Sequence, residues 1–154
     1  CIRYTEPMSQ GTRAHQAAMY VMYESPMQML ADNPSNYLRE PEYTAYLSRM
    51  PVIWDKTLGL AGEVGEYAVV ARKHEDNWYI GAMTNWDART LEIETDFLEH
   101  GVTYRMDFVK DGPNADRQAS DHVIGSSTIR RGDTVPIEMA EGGGWSAILV
   151  PAEN

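Results

Sequence analysis

The sequence predicts a mainly β chain: an antiparallel β-sandwich preceded by helix. Three observations carry this. The hydrophobic period is helical before Pro51 and switches to two after it. The residues after Pro51 break into eight or so short alternating runs parted by turn signals roughly every ten residues. Near the start, "GTRAHQAAMYVMYESPMQML" is the one long stretch of helical composition, apolar on most of its faces between Ala17 and Tyr23.

In chain order, the first helix is expected over 12–31, with Thr12 as N-cap and Pro26 kinking it or ending its first half. A helix apolar on most sides must be buried by something large. "DNPSNY" reads as a terminator, since Asp32, Asn33, Pro34 and Ser35 form turns. A second, short helix is expected over 40–50, with Pro41 in its first turn. Tyr43, Tyr46, Leu47 and Met50 form its apolar face.

After Pro51, "VIWDKTLGL" reads as a strand and "AGEVG" as a turn. "EYAVVARKH" and "WYIGAMTN" form a hairpin around "EDN". "RTLEIETDFL" alternates Leu91 and Ile93 with Glu92 and Glu94, giving a half-buried strand. "VTYRMDFVKD" is the next strand, and "GPNADRQASDHVIGSS" reads as a long polar loop. "TIRR" and "TVPIEMA" flank a "GD" turn, and "WSAILVP" closes the sheet as a buried strand after "EGGG".

Composition narrows the function. The 154 residues hold 43% hydrophobic and 10% aromatic side chains, enough for a core and unlike a disordered chain. The formal charge is −10, from 13 Lys and Arg against 23 acids, which disfavours nucleic acid and anionic membrane surfaces. No apolar run is long enough to span a bilayer, and no secretory signal pattern is present. Cys1 is the only cysteine, so an internal disulfide and a cysteine-based zinc site are excluded. The chain opens on Cys1 and not on Met, so a natural N-terminus is expected to have been removed or left out.

Each candidate for chemistry in the sequence also has a plainer role. Arg13 and His15 stand in the first helical turn, where free N–H groups could meet an anion or a sugar hydroxyl. Bonding to neighbouring loops is the plainer expectation. Asp111, Asn114, Asp116 and Asp121 crowd one loop with the oxygens hard cations want, but without EF-hand spacing, which favours an ordinary surface loop. Trp54, Trp78, Trp86 and Trp145 could form a sugar-stacking platform, though core or interface roles are commoner for tryptophans in strands. His74, His100 and His122 are scattered. "EGGGW" lacks the Lys of a phosphate loop and suits a bulge or a close backbone approach. No carboxylate pair stands in an evident apolar setting, Glu6 and Glu24 being possible exceptions.

The segments "EPMSQGTRAHQAAMYVMYESPMQMLADNPSNY", "MPVIWDKT", "GEYAVVARK", "WYIGAMTNWDARTLEI", "DGPNADR" and "GGGWSAIL" together resemble the C-terminal end of glycoside hydrolase family 97, in the family's order and from about Glu6 to Val150. The resemblance implies an enzyme with an N-terminal β-supersandwich, a catalytic (β/α)₈ barrel and a small C-terminal β domain. Residues 1–50 would be the end of the barrel, its last helix and a connecting helix, and 51–154 the C-terminal β-sandwich.

It further implies cleavage of α-glucosidic or α-galactosidic bonds by two carboxylates with a bound calcium ion, either inverting or retaining. Those residues would all lie upstream, so neither a catalytic nor a metal-ligating residue is expected in this segment, which alone would be inactive. Barrel active sites form at the rim that helix N-termini face. Ser9, Gln10, Arg13 and His15 are therefore expected at or just behind the substrate rim. The implied partners are the rest of the catalytic domain and an α-linked oligosaccharide, in a periplasmic or secreted bacterial setting. The alternatives are a non-catalytic carbohydrate-binding module and a pure interaction domain whose partner is its own enzyme.

Overall fold

The computed structural model describes residues 10–25, 29–31 and 33–152. Three helices come first: α1 (Arg13–Met22), α2 (Pro34–Arg39) and α3 (Pro41–Leu47). Eight strands follow: β1 (Lys56–Glu63), β2 (Tyr67–His74), β3 (Asn77–Thr84), β4 (Arg89–Glu94), β5 (Thr103–Asp111), β6 (His122–Arg130), β7 (Thr134–Met139) and β8 (Gly144–Pro151). The strands make a six-stranded sheet, β1-β2-β3-β8-β5-β6, and a two-stranded sheet, β4-β7. Every pairing is antiparallel, which agrees with the expected fold class.

The large sheet is the middle of three layers. Trp78, Ile80 and Ala82 of β3, with Trp145, Ala147 and Leu149 of β8, point to the small sheet and meet Ile93, Val135, Ile137 and Met139 there. Tyr79 and Ile148, on the opposite parity, point to the helices and meet Ala14, Ala17, Val21, Tyr43 and Tyr46. A period of two with both faces covered is why β8 reads as a continuous apolar run. The one polar interruption, Ser146, is fully buried and bonds the Tyr46 hydroxyl at 3.0 Å. That bond satisfies both hydroxyls in the dry layer.

Helix α1 lies on the back of the large sheet. Ala14, Ala17, Ala18 and Val21 recur at i, i+3, i+4 and i+7 and are fully buried. Small residues let the backbones approach closely. A Cβ on Gly81 would sit 2.9 Å from the Val21 Cβ, and one on Gly144 would sit 2.5 Å from the His15 Cα. Within this chain the sheet covers that apolar stripe.

The helix is shorter than the sequence suggests. Instead of running over 12–31 it ends at Met22, with Tyr23 extended at ψ 136°. The Met22 carbonyl accepts a 3.0 Å bond from Arg72 of β2, so the sheet supplies the terminal cap. Ser25 precedes Pro26, which disfavours α geometry one residue ahead of it. Conversely, "NPSNYL" is helix and not terminator: Asn33 caps α2 by accepting from the Asn36 N–H, and Pro34 occupies the first turn. The expected second helix is α3, with Tyr43, Tyr46 and Leu47 buried as its face.

Two strand boundaries also differ. Val52 and Ile53 lie outside β1, exposed, and β1 instead runs on to Glu63 through a register shift between Gly59 and Ala61. The long polar loop ends at Asp121, because 122–130 is strand β6. Gly125, Ser126 and Ser127 read as loop by composition. The Phe108 ring, however, covers Gly125 so closely that a Cβ there would fall 2.4 Å from the ring. An aromatic cross-strand neighbour restores to a strand glycine the packing it lacks.

Candidate functional site

The chemistry-bearing residues converge where the N-terminus of α1 meets the open ends of β5 and β8. Thr12 does two things there. Its hydroxyl oxygen accepts the His15 N–H at 3.1 Å, which caps the helix, and its O–H donates to Asp111 Oδ1. Asp111, the last residue of β5, also accepts at Oδ2 from the backbone N–H groups of Ala140 (2.8 Å) and Gly144 (3.1 Å). Burial raises its carboxyl above the ordinary range, and the bonds from Thr12, Ala140 and Gly144 and the nearby His15 pull the other way.

The glycines make this possible. Gly142 has φ +61°, and a Cβ on Gly143 would fall 2.0 Å from Asp111 Oδ2. "EGGG" is thus a close backbone approach, as its composition suggests. The Thr12 N–H donates to the Gly142 carbonyl at 3.1 Å, and the Arg13 N–H to the Ala119 carbonyl at 2.7 Å. The first free N–H groups of the helix are therefore bound to neighbouring turns rather than turned outward to an anion.

Of the expected rim residues, Ser9 lies outside the described residues, as does Glu6. Gln10 is exposed at the entrance to the helix. Arg13 is buried and directed sideways: its guanidinium stacks 5.3 Å from the Tyr43 ring centre and bonds Glu40 at 3.3 Å. The Tyr43 hydroxyl donates to the Arg13 carbonyl at 3.1 Å. His15 is half-buried, its Nδ1 2.9 Å from the Gly143 carbonyl. It borders an open hollow of about 440 Å³ between Gly62–Ala68 and Met83–Asn85.

The acidic loop is held by its own backbone. Asp121 accepts from the Asn114 N–H at 2.9 Å and its side-chain amide at 3.3 Å, and Asn114's carbonyl accepts from Arg117 and Gln118. Among the described residues no three His, Cys, Asp or Glu side chains are grouped to hold a metal ion. A second hollow, about 530 Å³, runs between the small sheet and β5–β6. Its carboxylates are already engaged, Asp111 as above and Glu138 with Lys110 at 3.0 Å.

The tryptophans do not share a platform. Trp78 and Trp145 are in the core, packed against Phe97 and Phe108. Trp54 stacks edge-on against Tyr79 under Arg72. Only Trp86 is exposed, lying against Gly142. His74 is 4.0 Å from Asp55, His122 tilts on Tyr43 and bonds the Ser120 carbonyl, and His100 is exposed. Glu24 is exposed, 3.7 Å from Arg72.

The residue that sequence reasoning passed over is Asp111 in its true role. By composition it belongs with the acids of the loop that follows. Its position at the end of an alternating strand, a short distance before a triple glycine in space but not in sequence, gave no local signal. The arrangement holds parts together: Thr12, Asp111, Arg13, His15 and Tyr43 each bond a group elsewhere in the chain.

A family profile described as "Glycosyl-hydrolase 97 C-terminal, oligomerisation" matches residues 53–150. The chain is 46% identical over 143 residues, 93% of its length, to a retaining α-galactosidase of Bacteroides thetaiotaomicron, of which it covers 22%. It is 36% identical to a probable retaining α-galactosidase of Streptomyces bingchenggensis, matching over 88% of this chain and 20% of that one. The structure superimposes with a TM-score of 0.90 on a family 97 enzyme from a Pseudoalteromonas species solved with panose, at 35% identity over 94% of this chain and 23% of that one. The chain thus spans about a fifth of the length of these relatives.

Proposed function

The chain belongs to glycoside hydrolase family 97, as its C-terminal part, and from that premise we propose that it is the non-catalytic β domain of an enzyme cleaving α-galactosidic or α-glucosidic bonds. The domain closes its own core and docks on the catalytic barrel through its helical layer. One observation carries this reading. Tyr23, Met29, Leu30, Leu38, Val52 and Ile53 are all exposed, and all lie in the stretch between α1 and β1. In the β half the exposed large apolar side chains are scattered singly, at Val64, Trp86 and Val123, and the two cores lie on either face of the large sheet. Apolar side chains gathered on one connected stretch mark a contact surface.

The resemblance of 1–50 to the end of a barrel, and of Gln10, Arg13 and His15 to its rim, belongs to the same proposal. Arg13 then acts by holding Tyr43 and Glu40 in place and not by touching sugar. Calcium belongs, on this reading, with the catalytic part, because the Asp111 and Asp121 carboxylates are engaged by donors within the chain. A periplasmic or secreted setting follows from the family resemblance. No helix among the described residues is long and apolar enough to cross a membrane. The family description also ties this part to oligomerisation, which we take as the domain's second role.

The test is an assay of the 154-residue chain on nitrophenyl α-galactoside and α-glucoside with calcium present. No turnover is expected, and clear turnover would overturn the reading.

A further inference from the structure

We infer that β6 is the oligomerisation surface, and that it pairs antiparallel with β6 of a second copy of this chain about a two-fold axis at Ser126. The inference rests on the reading of this domain as an oligomerisation part, and names the surface.

Four strands stand at sheet edges: β1 and β6 in the large sheet, β4 and β7 in the small one. Proteins blunt such edges with charge, proline or a bulge to prevent pairing with other chains. Strand β1 begins on Lys56 and has an irregular register at Gly59/Ala61. Strand β4 carries Glu92 and Glu94, and β7 carries Pro136 and Glu138. Strand β6 has no proline and no bulge, and its one Lys, Arg, Asp or Glu is Arg130 at its very end. Its register with β5 is unbroken over nine residues, and from Val123 to Ile129 it holds no charged residue and no proline. Val123 is also the one large apolar side chain, among the described residues, that is exposed within a strand.

The backbone parity follows from the neighbouring bonds. Thr103's carbonyl accepts from Ala152, on the β8 side, and Arg130's N–H donates to Asp133. Gly112's N–H donates to the Asp121 carbonyl. In an antiparallel ladder a residue's N–H and C=O point the same way. So Val123, Gly125, Ser127 and Ile129 bond β5, and Ile124, Ser126 and Thr128 turn their N–H and C=O groups outward. Pairing about Ser126 matches Ile124 with Thr128 of the second copy and Ser126 with itself.

Charge selects a second copy as occupant. A chain of net charge −10 repels itself broadly, and a two-fold contact places each patch against its own image. An edge whose charges are of one sign, such as β4 with Glu92 and Glu94, is brought against its own kind across a two-fold, whereas β6 from Val123 to Ile129 has no charge to repel.

The experiment uses the full chain. Sedimentation velocity across a concentration series is expected to show a dimer. Thr128→Pro removes an outward N–H that β5 does not use, and should weaken association by roughly tenfold or more. Ile53→Lys, on the helical layer, should leave the dimer intact. In a Cys1→Ser background, Ser126→Cys should oxidise to a covalent dimer, because facing residues of a bonded pair sit about 5.5 Å apart, inside the disulfide range. An exposed Ser48→Cys control should not. This readout holds even if the proline variant fails to fold. A dimer that resists Thr128→Pro and does not cross-link at 126 overturns the β6 pairing and leaves the oligomerisation role standing. A wild-type chain that stays monomeric throughout overturns both.

Discussion

The Thr12 hydroxyl donates to Asp111 Oδ1 while accepting the His15 N–H, so one side chain caps a helix and ties it to the end of a strand ninety-nine residues later. Neither partner is replaceable alone. Thr12→Ala removes a cap, at a cost of about 1 kcal/mol. Asp111→Ala strands the Ala140 and Gly144 N–H groups, at about 2–4 kcal/mol in all. In urea denaturation the double variant should cost less than the sum by at least about 0.5 kcal/mol. Strict additivity would show that the two groups do not act as a unit.

Gly144→Ala should push α1 off the sheet. Its Cβ would meet the His15 backbone at 2.5 Å, and backbone cannot step aside as a flexible side chain can. A loss of about 1–3 kcal/mol is expected, typical of overpacking. Gly59→Ala is the control, since nothing lies within 4 Å of that Cβ position. Equal melting losses in the two variants would contradict the close approach.

Alkali should unfold the chain through its buried phenols. Burial raises Tyr20 to about 12 and holds Tyr43 and Tyr46 well above the ordinary value. A phenol whose folded pKa lies above its unfolded one favours the folded state below about pH 10, where neither form is ionised. That advantage is lost as pH rises through the folded values, because the unfolded chain ionises first. Stability should therefore fall steeply between about pH 10 and 12. Tyr46→Phe should flatten the fall, read by absorbance at the phenolate band together with circular dichroism.

Asp111 has the opposite kind of site for a carboxylate. Its folded pKa is raised, so protonated Asp111 favours the folded state, and its contribution declines as pH climbs from the ordinary carboxylate value through the raised one. Asp111→Asn should remove that decline in a pH series of unfolding midpoints. An unchanged slope would show that Asp111 does not titrate in that range.

The helical layer supplies a prediction about association. Leu38→Lys and Ile53→Lys alter side chains that are mostly exposed, so the isolated chain should change by less than about 0.5 kcal/mol. Binding to the separately expressed catalytic part, followed by size-exclusion chromatography, should weaken. Undiminished binding would move the docking surface elsewhere.

How much of this could be read beforehand depends on where the information sits. Strand alternation is local, so "TVPIEM" and "WSAILV" announced both their strands and their buried faces. The α1 N-cap is local too, and Thr12 was legible. The end of α1 was not, because its cap is Arg72, fifty residues away on β2. Strand β6 was hidden by Gly125 and two serines, whose packing comes from Phe108 on the neighbouring strand. Helix α2 was hidden in plain view: Asn33-Pro34 fits a turn and a helix start equally well, and only the following "NYLR" separates them. At the junction, His15 and Arg13 could be placed at a helix start but not aimed. Their directions are set by Gly143 and Tyr43, and no local pattern encodes either.

Helix α1 is held at both ends. Asp111, Gly142 and Ala119 grip its first turn, and Arg72 grips its last carbonyl. Mechanically it is a splint and not a tether. A push or twist delivered at Gln10 reaches β5, the 141–143 turn and β2 together, with no swivel between them. The β domain must therefore move as one piece with whatever holds the front of that helix.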